Sequence, residues 1–134
     1  EASGVKVNVL NTYNGSTRED AMSSCDDALV TYPEIDLMIT TSAQHGPGAY
    51  DACVAAAGDE MKIVSMDGEE EEFQKIDEGG IYLCTALQFP AEMSKQTVEL
   101  IGDYFAGEEI ERFVYTDAGV YCPDGTLTAQ DIQG

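Results

Sequence analysis

Four short stretches carry the side chains able to grip a small molecule: Asn11 to Ser16, Thr41 to His45, Asp67-Gly68 and Gln88-Phe89. Each follows an apolar run that reads as a β-strand, and in open parallel sheets ligands sit in the crevice beyond the carboxyl ends of the strands. These stretches supply hydroxyls and amides, one carboxylate at Asp67, and no lysine or arginine. Such a set suits a neutral polyol. A carboxylate accepts hydrogen bonds from two adjacent hydroxyls, whereas an amide such as Gln88, Gln44 or Asn14 both donates and accepts. Leaving a buried polar group unpaired costs about 1–3 kcal/mol, which lets such a pocket reject a wrong stereoisomer. Tyr13 offers a ring to stack on the ligand, or packs within its own loop. His45, the single histidine, reads either as a ligand contact or as a cap at its loop.

Other chemistry lacks its parts. Nucleophilic catalysis needs a base beside a serine or cysteine, and His45 is the only histidine. No GxxxxGK phosphate loop is present. A phosphoacceptor domain of flavodoxin-like topology needs an acidic pair after its first strand, where this chain has Asn11-Thr12. The four cysteines are widely spaced with no CxxC, which argues against a zinc site. Cys25 and Cys53 fall in helical stretches and read as small buried apolar residues; Cys84 and Cys122 would pair only in an oxidising compartment. The carboxylates Glu69 to Glu72 resemble a calcium site, but the first turn of a helix favours negative charge by itself. No catalytic residue, metal or cofactor is expected.

The elements that must place these side chains alternate short apolar strands with segments of helical period, the pattern of a parallel α/β sheet. Val5 to Leu10 reads as a first strand. A helix from Thr17 to Tyr32 follows, with a capping box in Ser16-Thr-Arg-Glu19 and one face made of Ala21, Cys25, Ala28, Leu29 and Tyr32. Leu37 to Thr41 is a strand, followed by a small-residue helix ending at Gly58. Lys62 to Met66 and Ile81 to Leu87 are further strands, separated by a short helix that starts at Glu69. After Gln88-Phe89-Pro90, the longest helix runs from Ala91 to Ala106 and closes at Gly107, its stripe made of Met93, Thr97, Leu100, Ile101 and Tyr104. Arg112 to Thr116 alternates as a final strand.

At 134 residues the chain falls within the size of one domain, and 43% hydrophobic with 24% charged residues is ordinary for a folded protein. Asp and Glu number 26 against 6 Lys and Arg, a formal net charge of -20. Nucleic acid is an unsuitable partner, because phosphate backbones require clustered basic residues. No run reaches the roughly 18–20 apolar residues that span a bilayer. No signal segment is visible at Glu1; the chain enters its first strand by Val5, as a piece of a longer protein would.

From Asp20 to Gln88 the sequence resembles the type I periplasmic solute-binding proteins, the ribose- and galactose-binding group. The residues that carry the resemblance are Tyr32-Pro-Glu-Ile-Asp36 leading into a strand, Gly48-Ala49, Ile63-Val-Ser-Met-Asp67-Gly68, Thr85-Ala-Leu-Gln88-Phe-Pro90 and Gly107-Glu108. The resemblance implies a three-layer, doubly wound, mostly parallel α/β sheet, flavodoxin-like and incomplete relative to the two-lobed family fold. Residues 1–88 would form the carboxy-terminal ligand-binding lobe, 89–109 a helix that packs on the other lobe, and 110–134 a return strand and tail.

The same resemblance implies capture of a sugar or polyol without chemistry, as the extracytoplasmic component of an ABC transporter, periplasmic or lipid-anchored, with the permease as partner. It carries Asp67 and Gln88 over as sugar ligands, each with a plainer role open as helix cap or hinge bond. The family's Asn-Asp pair falls here on Ser42-Ala43, one hydroxyl in place of a bidentate amide, with Gln44 or His45 as substitutes. The helix 91–106, lacking its lobe, would expose an apolar stripe and favour a homodimer or domain swap. The sensor domain of a LacI-type repressor shares the fold and stands as the alternative.

Overall fold

A computed structural model describes residue 4, residues 6–57 and residues 60–128. The elements run α1 (Arg18–Thr31), β1 (Leu37–Ile39), α2 (His45–Ala57), β2 (Lys62–Asp67), α3 (Glu70–Asp77), β3 (Tyr82–Leu87), α4 (Pro90–Ala106), β4 (Gly119–Cys122) and β5 (Gly125–Thr128). They build one sheet of order β1-β2-β3-β4-β5. The first three strands are parallel, each pair joined through a helix, and β4 and β5 add antiparallel. An α/β architecture whose first three strands are parallel is thus what the alternation of periods encodes.

Local chemistry explains most of the boundaries. Thr17 Oγ1 accepts from the Asp20 amide, and the Asp20 carboxylate accepts from the amides of Ser16 and Thr17, a capping box one residue later than the pattern suggested. These bonds, that of the Ser16 amide foremost, hold the Asp20 carboxyl below its ordinary range. At the other end of the chain α4 starts on Pro90 and stops at Gly107, whose φ of 81° supplies the left-handed cap. The cap expected at Gly58 lies outside the described residues.

The core lies between α1, α2 and one face of the sheet: Cys25, Ala49, Ala52, Cys53, Met61, Ile63, Ile76, Ile81 and Tyr82. Small residues let the two helices approach. A Cβ at Gly48 would stand 2.6 Å from the Arg18 carbonyl oxygen, closer than any side chain tolerates. This close approach corrects one expectation. Cys25 and Cys53 are buried, but as a disulfide that staples α1 to α2, not as independent apolar side chains. Cys84 and Cys122, for which pairing in an oxidising compartment stood open, are free thiols.

Over these helices Arg18 forms a cross-link, donating to both carboxylate oxygens of Glu71 at 2.9 Å and to Asp51 at 2.6 Å, while Lys75 reaches Asp51 at 3.2 Å. The Glu71 bonds, then that to Asp51, raise the Arg18 pKa above its ordinary value. The opposite sheet face is open among the described residues, with Leu37, Ile39 and Met66 exposed.

Two expected strands do not form among the described residues. Lys6 to Leu10 pair with no described strand and stand exposed, and Val5 lies outside the described residues. Alternation marks a segment fit for a sheet face, but a strand also needs a neighbour to satisfy its backbone. Arg112 to Thr116 is likewise irregular and exposed. The return to the sheet is made instead by Gly119–Cys122, which pairs with β3 and turns at Pro123-Asp124 into β5. α4 buries no residue: Val98, Ile101, Tyr104 and Phe105 all face outward. No helix among the described residues is long and apolar enough to cross a membrane.

Candidate ligand-binding site

Asp67 ends β2 and gathers the loops that follow three neighbouring strands. Its Oδ1 accepts from Gln88 Nε2, after β3, at 2.6 Å. Its Oδ2 accepts from the Ala43 amide, after β1, at 3.1 Å. Two of the residue stretches singled out for ligand contact, Ser42-Ala43 and Gln88, are therefore tied to the one carboxylate among them. The parallel register explains the convergence, since Ile39 pairs with Val64 and Asp67 with Leu87, so all three chains leave the sheet on the same side.

Asp67 also has φ of 105°, the left-handed region that a side chain rarely adopts. A residue held there costs about 1–3 kcal/mol, and such strain persists only where the surroundings over-determine it. Here the neighbours are Gly68, with φ of 77°, and the first turn of α3.

The remaining candidates are spread more widely. Ser42 is half-buried and its Oγ accepts from the His45 amide at 3.4 Å, a local cap on α2. His45 opens α2 and its Nε2 is buried without a hydrogen-bond partner among the described residues. Gln44 is exposed, as are Tyr13 and Asn14, and no hydrogen bond joins any of the three to Asp67. Thr40 Oγ1, just after β1, is likewise a buried side-chain atom without a hydrogen-bond partner among the described residues.

Behind Asp67 lies a polar cluster that the residue pattern did not single out. Glu72 is fully buried. One carboxylate oxygen accepts from Tyr82 at 2.9 Å, Thr85 at 3.3 Å and Ser65; the other accepts from the amides of Gly68 at 2.9 Å and Glu69 at 2.8 Å. Tyr82 and Thr85 are three residues apart and would face opposite ways in a regular strand. A register shift at Ile63/Val64, where Ile63 pairs with Tyr82 but Val64 with Cys84, turns both toward the helices. Gly46 completes the enclosure, because any Cβ there would collide with the Tyr82 hydroxyl. Burial, foremost, pushes the Tyr82 phenol well above its ordinary pKa. The carboxylates of Glu69 to Glu72 therefore do not all serve the helix dipole. The signal for the exception was Ile76, four residues on and fully buried on the same face.

Among the described residues no group of histidine, cysteine and carboxylate side chains could hold a metal ion.

No family model matches the sequence, and no curated protein matches it. Solved structures do. A glucose-galactose binding protein, GanP, from Geobacillus stearothermophilus superposes with a TM-score of 0.75 at 21% identity, over 81% of this chain and 39% of that one. An ABC transporter solute-binding protein from Agrobacterium vitis with bound allitol gives 0.72 at 24%, over 79% and 38%. Another from the same organism, bound with alpha-D-tagatopyranose, gives 0.76 at 18%, over 84% and 38%. The fold is that of a lobe of such solute-binding proteins, and the chain spans under two-fifths of the length of these structures.

Proposed function

We propose that the chain supplies one ligand-binding face of an extracytoplasmic solute-binding protein that captures a sugar or polyol for an ABC transporter and performs no reaction on it. The carrying observation is the Asp67 carboxylate, fixed between the Ala43 amide and Gln88 where three loops leave the sheet. Two adjacent hydroxyls of a polyol fit one carboxylate, and Gln88 adds a group that both donates and accepts. Around this pair, Ser42 adds a hydroxyl, and Gln44, His45, Tyr13 and Asn14 would complete the contacts once their loops close over the ligand. The neighbours with allitol and tagatopyranose bound support the ligand class.

The disulfide between Cys25 and Cys53 supports an oxidising compartment, periplasmic or at the cell surface, over the cytoplasm where a LacI-type sensor works. The permease would engage the intact protein. In that protein α4 would be covered by the second lobe; in the isolated chain its outward stripe of Val98, Ile101 and Phe105 would favour a homodimer or swap.

Titration of the isotope-labelled chain with pentoses, hexoses and acyclic polyols tests the reading. The amides of Ala43, Gly68 and Phe89 should shift together at millimolar concentrations, the weak binding expected of half a site. Absence of any shift with every compound up to the solubility limit would overturn it.

A further inference from the structure

Asp67 is strained, and its side-chain bonds to Ala43 and Gln88 are not the only ties on this loop. The two residues that follow it, Gly68 and Glu69, both point their amides into Glu72, whose carboxylate is buried and anchored on its other side by hydroxyls from β2 and β3. The carboxylate thus joins the loop to the sheet. Were those amides released, Asp67 would relax toward extended backbone and swing its side chain off Ala43 and Gln88.

We propose that Glu72 is the positioning residue of the crevice, holding the Asp67–Glu69 loop in its strained conformation so that the Asp67 carboxylate is set before a ligand arrives. Glu72 makes no ligand contact in this role. Its effect is preorganisation: the ordering cost of the loop is met within the fold and not drawn from binding. As a mechanism for ligand capture, the proposal rests on the sugar-binding reading above. Its first observables need no ligand and so fail or stand apart from that reading.

The chemistry separates two substitutions. Glu72→Gln keeps an oxygen for the two amides, and its NH2 can donate to hydroxyls that reverse to accept. Glu72→Leu offers the amides no acceptor. Amide exchange on the whole chain should leave Gly68 and Glu69 in Glu72→Gln within a few-fold of the parent. In Glu72→Leu they should exchange at least roughly tenfold faster than the parent, while the β2–β3 ladder stays protected. The three-bond HN–Hα coupling of Asp67, small at φ of 105°, should rise to the large value of extended backbone in Glu72→Leu alone. A double Cys25→Ala/Cys53→Ala variant, destabilised between α1 and α2 with Glu72 and its partners intact, controls for global loss of stability and should leave that coupling unchanged. Equal exchange in parent and Glu72→Leu, or an unchanged coupling, would overturn the proposal.

Should Glu72→Leu fail to fold, the parent protein alone still decides. Gly68 and Glu69 must exchange as slowly as the ladder amides, and exchange at the rate of an open loop would sink the idea. Where a sugar is found that shifts the parent, its affinity should fall in Glu72→Leu, stay in Glu72→Gln and stay in the disulfide-free control. If no sugar binds but the exchange pattern holds, the loop is still positioned by Glu72 and only the ligand class is wrong.

Discussion

Gln88 Nε2 and Asp67 Oδ1 meet at 2.6 Å, a charge-assisted bond between the loops after β2 and β3. On the proposed sugar-binding reading, an entering diol would share that oxygen or turn Gln88 toward itself, so the two residues would act as one acceptor–donor unit. Replacing Asp67 by Ala should weaken sugar binding by roughly ten- to a hundredfold, the worth of about 1.5–3 kcal/mol for a hydrogen bond to a charged group. Titration followed by the Ala43 and Phe89 amides measures it, and unchanged affinity would remove Asp67 from the site.

The strain at Asp67 gives a prediction of opposite character. Asp67→Gly should be more stable than Asp67→Ala by about 1 kcal/mol, because glycine adopts φ of 105° without penalty and alanine does not. Both lose the same side-chain bonds, so the difference in urea midpoint isolates the backbone term. Equal midpoints would mean that the loop relaxes once the carboxylate is gone.

Removal of the disulfide by Cys25→Ala/Cys53→Ala should lower stability by about 3–4 kcal/mol, since the bond closes a loop with a sequence separation of 28. Urea unfolding of the oxidised chain, its reduced form and the double variant would show the oxidised form alone standing apart.

The thiol of Cys84 gives the pH dependence. Burial first, and then Cys122, with which it shares a hydrogen bond across β3 and β4, push its pKa up to about 11 from an ordinary thiol value of 9.0. A raised folded pKa means the neutral thiol is favoured in the fold. Its contribution is intact below the unfolded value and is lost as pH climbs from about 9 towards 11. Alkylation of the folded chain at pH 8 should be slow at Cys84 relative to an unfolded control and should accelerate toward pH 11. Labelling at the rate of a free thiol at pH 8 would contradict the shift.

How far these features could be read from residues alone varies with what kind of information fixes them. Helices α1 to α4 and strands β1 to β3 follow from period and from caps that act locally, Pro90 and Gly107 above all. Strand pairing is not local: Val7 and Val9 alternate well but find no neighbouring strand among the described residues, whereas Gly119–Cys122, poor in strand-forming residues apart from Val120 and Tyr121, pairs with β3 because chain return places it there. Within the site Asp67 and Gln88 were legible as polar residues at strand ends, and the fold brings them together. Glu72 was hidden among identical neighbours, and its role depends on Tyr82 and Thr85 sharing a face that only the slipped register provides. The disulfide was hidden because spacing along the chain says nothing of how closely small residues let α1 and α2 approach.

Among the described residues the sheet ends at β1, three residues long, with Leu37 and Ile39 turned outward beside an edge that no other strand covers. Such an edge is a template on which another chain can grow, and polypeptides usually blunt it with a charge or a proline. Within this strand there is neither. A formal charge of -20 on each molecule opposes such growth through long-range repulsion. That protection is colloidal, not structural, and it fades as ionic strength shortens the reach of the field. Solubility of this chain is therefore a property of its solvent as much as of its fold.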